Sequence, residues 1–502
     1  MVRFFRKYHK WVSLFFCFFI LMFAFSGIVL NHRKAVSGIE VGRKWLPHSY
    51  HYKNWNNGFV KGTFKLPGDS ILLYGGSGIW LTDPAFSKFS DFNKGIRKGA
   101  DNRKISNLIR LSDGQLWCAG LYTLYCYTPE GWQEQPVIDN EERISDITHK
   151  GDTLIVLSRS HIYSARYPYT DFQKMELKQP DGYSSEVSLF RTIWLLHSGE
   201  LFGAAGQYVV DGLGIILILL SITGILYTIL PYIIRRKKRR QQTVLHNIQM
   251  LTASLRWHNK LGGWFIVLTL LVAVTGMCLR PPLMIPFVMS QTKPLPGSTL
   301  DSDNPWKDKL RSIRYDSKLN EWLLSTSAGF YHLAGFQDIP VRFRKAPPIS
   351  PMGINVFKPF LDNYWLVGSF SGLFVWDPST GNLVDYYTGQ TPPPSRGRPI
   401  GLNSVSGFTG DLATGQVVFE YGKGANTLEG DPMLPPMPEV LSGCGMSLWN
   451  FALELHVGRC YSPFLGPVSD LFIFLSGLFL TFILVSGYVV YRKRYRRKQK
   501  NT

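Results

Sequence analysis

Five histidines stand where imidazole could do chemistry: His9, His32, His197, His258 and His456. Two of them open the same pattern. Seventeen positions after His9 come Ser26 and Gly27, and seventeen positions after His258 come Thr275 and Gly276, each pair inside an apolar run. His197 and His456 open a second pattern, in WLLHSGELFG and ALELHVGRCYSPFLG, where an apolar stretch leads to His-x-Gly. Basic clusters begin 38 positions after His197 and 36 after His456, and the intervening apolar runs hold Thr223-Gly224 and Ser486-Gly487. Within each half this second pairing is looser, Gly224 lying 27 positions after His197 and Gly487 31 after His456. A neutral imidazole is a common axial ligand of haem iron, and helix bundles build cofactor sites from facing helices. Interfacial anchoring or helix capping is the competing reading for each histidine alone. The four small residues Gly27, Gly224, Gly276 and Gly487 suit close helix packing in lipid, and would equally clear space for a flat macrocycle.

Geometry limits which histidines can meet. His9 and His32 bracket one apolar run 23 positions apart, which is roughly 35 Å along a helix, so they cannot share a ligand. His9 and His258 occupy equivalent positions of the repeat and form one expected cluster. His32, His197 and His456 fall on the other side and form a second, with His32 and His197 as the expected pair and His456 in reserve. His32 has no repeat counterpart, because Pro281 stands at the equivalent position. The remaining histidines lack such context and are read as surface residues.

The elements that must carry these side chains are membrane helices. Four runs, Trp11–Leu30, Ile215–Ile234, Phe265–Leu279 with its flanks and Leu471–Val490, approach the ~20 apolar residues that cross a hydrocarbon core. The first lacks a small-residue cleavage site and reads as an anchor, not a removed signal. The formal charge is +20, and three stretches without Asp or Glu (1–10, 235–260 and 492–502) hold nineteen of the Lys and Arg residues. They fall on one side of the four runs, which makes that side cytoplasmic and both termini internal. This placement accounts for RRKKRR at 235–240 without nucleic acid. The expected organisation is a cytoplasmic N-terminus and first span (1–32), an extracytoplasmic segment (33–190), an interfacial lead-in and second span (191–234) and a basic loop (235–260). A third span (261–283), a second extracytoplasmic segment (284–450), a lead-in with the fourth span (451–491) and a basic tail (492–502) complete it. The fold class is thus a membrane protein of the α + β kind: four transmembrane helices in two duplicated halves, with a strand-rich extracytoplasmic region made from two long insertions.

Those insertions repeat a hairpin pattern of apolar strand, Gly/Ser turn and apolar strand, as in ILLYGGSGIWLTDP from Ile71 and YWLVGSFSGLFVWDPSTG from Tyr364. Recurrence about every forty residues, with some three hairpins per half, points to a propeller-like arrangement. Cys118 and Cys126 flank one hairpin turn, and Cys444 and Cys460 form a second candidate disulfide pair; no CxxC or CxxCH occurs.

The helices and their lead-ins, most specifically LHSGELFGAAGQYVVDGLGIILILLSITGILY, resemble the PepSY-associated transmembrane helix proteins. That family includes iron-regulated inner-membrane proteins and haem-containing ferric-siderophore reductases of bacteria. The resemblance implies haem b held by helix-associated histidines, here His9, His258, His32, His197 and His456. It also implies a multi-pass protein of the bacterial cytoplasmic membrane that passes electrons to a periplasmic acceptor such as a ferric siderophore, from a donor the residues do not identify. The sequence departs from the family in its long strand-rich insertions, which do not look like small α/β PepSY units. The rival class is a non-enzymatic anchored receptor or scaffold with a ligand-binding ectodomain. A transporter finds no support, since the four apolar runs hold no Asp, Glu, Lys or Arg.

Overall fold

A computed structural model describes residues 2–136, 142–348, 350–361, 363–393, 403–431 and 434–499. The end of the expected basic tail, 500–502, lies outside them. The chain divides into two compact units, each made from non-contiguous segments: residues 1–36, 185–302 and 448–502 form a helical unit, and residues 37–184 and 303–447 form a strand-rich unit.

The helical unit contains α1 (Val2–Asn31), α2 (Leu189–Ser198), α3 (Gly203–Arg239), α4 (Leu245–Trp264), α5 (Ile266–Cys278) and the short α6 (Met284–Val288). A four-residue helix of the other unit, α7 (Glu439–Ser442), precedes α8 (Leu448–His456), α9 (Ser462–Leu465) and α10 (Ser469–Gln499). Among the described residues three helices are long and apolar enough to cross a membrane, and a fourth span results if α4 and α5, bent by 69° at their junction, count as one. The chain is a multi-pass membrane protein. The bend sits at Phe265 and follows Gly262-Gly263; a Cβ on Gly263 would come within 2.8 Å of the Tyr491 ring, so glycine lets α10 approach there. Phe16, Ile20, Ala24, Leu217, Ala273, Ile483 and Leu484 form the bundle's buried core, while Phe15, Phe18 and Val267 point outward, the pattern of helices solvated by hydrocarbon. Two expectations shift. The stretch expected as a basic loop, 235–260, is mostly helical, α3 running to Arg239 and α4 starting at Leu245. Asp211, outside the expected apolar run, lies inside α3 and is buried.

The lead-in to α3 is broken by backbone geometry. Gly199 ends α2 at φ +82°, and a Cβ there would fall 2.2 Å from the Gly206 carbonyl oxygen. Only glycine fits that conformation at that approach. The chain then turns through residues 200–202 and restarts as α3, leaving His197 on a separate short helix.

Besides a two-stranded pairing of Glu40–Val41 with Met446–Ser447, the strand-rich unit holds six small antiparallel sheets among the described residues, five of four strands and one of three. Their first strands are Val60–Lys65, Asn107–Arg110, Ile144–Lys150, Leu310–Asp316, Ile354–Phe360 and Val405–Leu412. Each first strand contacts that of the next sheet, and the Val405–Leu412 strand contacts Val60–Lys65. Alternating apolar residues explain the packing, because period-two side chains place one set on each face. Ile71 and Leu73 enter one cluster with Trp55 and Phe419, while Leu72 and Tyr74 enter another with Ile105 and Trp132. Gly/Ser turns close the hairpins, as where Gly75 pairs with Gly78, the latter at φ +100°.

The expected disulfide between Cys118 and Cys126 fails. The register sets Cys118 opposite Tyr125 and Cys126 opposite Trp117, so the two thiols lie on opposite faces of their sheet and in different clusters. The turn is one residue off the symmetry that the spacing suggested.

Candidate functional site

Each of four histidines is seated against a hydroxyl–glycine pair on another helix. His9 of α1 hydrogen-bonds through Nδ1 to the Ile483 carbonyl (3.0 Å) and Ser486 Oγ (3.1 Å) of α10. His258 of α4 uses Nδ1 toward the Leu220 carbonyl (3.1 Å) and Thr223 Oγ1 (3.0 Å) of α3. His197 of α2 bonds the Val272 carbonyl (3.0 Å) and Thr275 Oγ1 (3.2 Å) of α5. His456 of α8 lies 2.9 Å from Ser26 Oγ and bonds the Phe23 carbonyl of α1.

At two of the four pairs the seat requires the glycine. A Cβ at Gly487 would stand 2.8 Å from His9 Cε1, and one at Gly276 2.9 Å from His197 Cε1; at Gly27 and Gly224 the distance to the facing imidazole is 3.5 Å. The imidazole edge therefore rests against bare backbone. The hydroxyls also donate within their own helices, Ser26 to Met22, Thr223 to Leu219, Thr275 to Leu271 and Ser486 to Ile483. With that proton used, their oxygens accept.

This geometry fixes the tautomer. A carbonyl oxygen can only accept, so Nδ1 carries the proton and Nε2 keeps its lone pair. No Nε2 hydrogen bond is formed by His9, His197, His258 or His456 among the described residues. A histidine whose Nδ1–H is anchored to a carbonyl is the usual arrangement of a metal-bound imidazole, since the second partner holds the ring and raises its basicity.

The four rings meet in pairs. His9 and His258 have ring centres 6.2 Å apart with an interplanar angle of 74°, and His197 and His456 are 6.1 Å apart at 55°. Two imidazoles on opposite sides of one metal, each with a bond of about 2 Å, place their ring centres about 6 Å apart. Spacing, tautomer and glycine clearance fit haem iron ligated by two histidines at each pair. Groups of three or more His, Cys, Asp or Glu suited to a metal ion are absent among the described residues.

His32 is placed differently from the sequence expectation. Its Nε2 lies 2.8 Å from Asp211 Oδ2, and Asn31 Nδ2 donates to Asp211 Oδ1 at 2.9 Å. His456, not His32, faces His197. Asp211 was missed in the sequence, standing four residues ahead of the apolar run, where a carboxylate looks like an ordinary flanking residue. Its burial and its link to His32 follow from α3 beginning at Gly203, about two turns ahead of it.

Across the repeat the bonds are exchanged. His9 of the first half uses α10 of the second, and His258 of the second uses α3 of the first. His197 of the first half uses α5 of the second, and His456 of the second uses α1 of the first. Neither half completes a seat alone.

Comparison with known proteins follows this division. The family model described as the PepSY-associated TM region matches residues 2–229 and again 167–494. No curated protein matches the chain. A solved structure described as the extracellular domain of a one component system from B. thetaiotaomicron aligns at 9% identity with a TM-score of 0.33, covering 80% of this chain and 44% of that one. The chain thus spans under half the length of that structure. The AfRom2 CNH domain aligns at 9% identity with a TM-score of 0.28, covering 76% of this chain and 96% of that domain.

Proposed function

We propose that this chain, which belongs to the family of the PepSY-associated TM region, is a haem b protein of the bacterial cytoplasmic membrane that passes electrons across the bilayer. The observation that carries this reading is the double pairing, His9 with His258 and His197 with His456, at ring spacings of 6.2 and 6.1 Å. His9 and the Ser26 seat of His456 lie seventeen positions apart on α1, roughly 25 Å along the helix axis. That length is close to the ~30 Å of a hydrocarbon core, so the pairs stand toward opposite membrane faces.

Haem b bound at each pair would supply a one-electron couple at iron. The chain's own residues do the rest. The carbonyls of Ile483, Leu220, Val272 and Phe23 hold each Nδ1 proton, which leaves the Nε2 lone pair available as a ligand. The Ser and Thr hydroxyls add a second acceptor and fix ring rotation. The apolar bundle core excludes water from the space between the pairs.

With both termini cytoplasmic, the His197/His456 pair is extracytoplasmic and the strand-rich unit is periplasmic. The acceptor we favour is iron in a ferric siderophore. The succession of contacts among six sheets supports a six-bladed propeller reading for that unit.

The test is an absorption spectrum of the purified full chain from haem-replete cells. A Soret band that shifts on dithionite, with two haems per chain, supports the proposal. His197→Ala and His258→Ala should each remove about one of the two haems, because each empties a different pair. Colourless protein, or wild-type spectra from both variants, would overturn it and leave the scaffold reading.

A further inference from the structure

The first strands of five of the six sheets line a feature that the haem reading does not use. A cavity of about 260 Å³ lies among them, lined by residues of the strands starting at Val60, Asn107, Ile144, Leu310 and Ile354. Its wall is cationic. Lys61, Arg311, Arg314 and Lys358 face it against one lining carboxylate, Asp146; Asp411 stands behind Thr63, whose hydroxyl donates to it at 2.5 Å.

The acids are already engaged. Asp146 accepts from Arg314 Nη1 at 2.6 Å, from the Ile313 N–H at 3.2 Å, from Asn107 Nδ2 at 3.2 Å and from the Ser312 hydroxyl. The arginines are also spent, Arg314 on Asp146 and the Phe357 carbonyl, Arg311 on the carbonyls of Pro351, Asp308 and Leu310. The lysines are not. Lys358 Nζ has a single long bond of 3.3 Å to the Phe408 carbonyl, and Lys61 makes no hydrogen bond or ion pair among the described residues. Asp146 attracts Lys61 and Asp411 attracts Lys358 only at a distance, and an enclosed ammonium with no anion bonded to it is costly.

We propose that this cavity binds a small oxyanion, a carboxylate- or phosphate-bearing molecule, with the ammonium groups of Lys61 and Lys358 as its cationic contacts. Each ammonium brings three donors, and a charged pair in an enclosed site is stronger than at the surface. The volume sits just below the ~300–1,000 Å³ usual for ligand pockets. A di- or tricarboxylate or inorganic phosphate fits it, and a whole siderophore chelate does not. The cavity is therefore separate from any docking of the proposed electron acceptor. Burial lowers the Lys61 pKa to about 8 and also lowers that of Lys358. The charged or titratable groups around Lys61 are Tyr74, Asp146, Arg311, Arg314, Lys358 and Asp411, and burial pushes Tyr74 upward, away from this range. Affinity should accordingly fall between pH 7 and 9.

The experiment is calorimetric titration of the full chain in detergent with citrate and, separately, inorganic phosphate, at fixed ionic strength with chloride as control. Saturable binding of either anion is expected, and which one binds decides between carboxylate and phosphate. Lys61→Met and Lys358→Met should each weaken it tenfold or more, Lys61→Arg should retain it, and thermal melting checks that each variant is folded. No saturable heat with either anion in the wild type would overturn the proposal. So would wild-type affinity in the Lys61→Met/Lys358→Met double variant. Haem content is read separately by absorption, so failure here and failure of the haem reading are distinguishable.

Discussion

At the scale of single residues, the four hydroxyl–glycine pairs are graded by how tightly each glycine meets an imidazole, and that grading makes a prediction. Alanine at Gly487 or Gly276 would place Cβ 2.8 or 2.9 Å from a histidine carbon, whereas at Gly27 or Gly224 it would stand at 3.5 Å, ordinary contact. Gly487→Ala should displace His9 and Gly276→Ala should displace His197, each lowering haem occupancy of one pair, while Gly27→Ala and Gly224→Ala keep near wild-type spectra. Equal loss in all four variants would show that the glycines serve helix packing in general. Lys61 makes a second prediction. Its pKa falls from 10.5 to about 8 on folding, so the folded state binds the proton less well than the unfolded chain. The resulting destabilisation is fully present below pH 8 and is relieved as pH rises from 8 toward 10.5. Its size is on the order of 2–3 kcal/mol. Thermal melts without added anion should show the wild type gaining on Lys61→Met between pH 7 and 9.5; parallel curves would remove Lys61 as the source. The residue types were legible in the sequence because repetition exposed them. Their partnerships were not, since spacing within one half measures the wrong pair: His197 is seated by Thr275 across the repeat, not by Thr223 in its own half.

At the scale of elements, the helices show where local signals end. The apolar runs placed one end of α1 and of α10 to within two residues, because a bilayer demands a fixed length, while each helix continues nine residues past the other end of its run. The bend between α4 and α5 was not legible, as no proline marks it and the Tyr491 ring for which Gly263 leaves room belongs to a distant helix. Among the strands, the hairpins followed from apolar alternation and Gly/Ser turns, but a one-residue difference in register put Cys118 and Cys126 on opposite faces. Contacts between sheets depend on side chains far apart in sequence. Asp146, on the strand Ile144–Lys150, holds Arg314 on the strand Leu310–Asp316 at 2.6 Å, both largely buried. Removing one partner of such a pair leaves a buried charge, at a cost of about 3–5 kcal/mol. Asp146→Ala should therefore lower the denaturation midpoint strongly, and adding Arg314→Met should restore part of the loss. If the double variant is as unstable as the single one, the unpaired arginine is not the cause.

At the scale of the whole molecule, both units are assembled from the two halves of the duplicated chain. In the helical unit the exchange of histidines and seats requires it, and in the strand-rich unit the sheets do. Three sheets come from residues 37–184 and three from 303–447, and two apolar clusters join the sets. One packs Trp55, Phe59 and Val60 against Val417 and Phe419, and the other packs Ile155 and Leu157 against Ile313 and Trp322. The duplication was legible in the sequence, whereas this interleaving was not, because it rests on contacts between segments more than a hundred residues apart. Either segment by itself would expose one side of both clusters, and each large apolar side chain left in water forfeits ~1.5–3 kcal/mol. Several such residues exceed the 5–15 kcal/mol that holds a domain together. A soluble fragment of residues 37–184 should thus aggregate or melt without a cooperative transition by circular dichroism. The same segment joined through a short linker to 303–447 should melt as one unit. Cooperative unfolding of the first fragment alone would mean that each half carries its own complete core, and that the shared clusters add little to the stability of the whole.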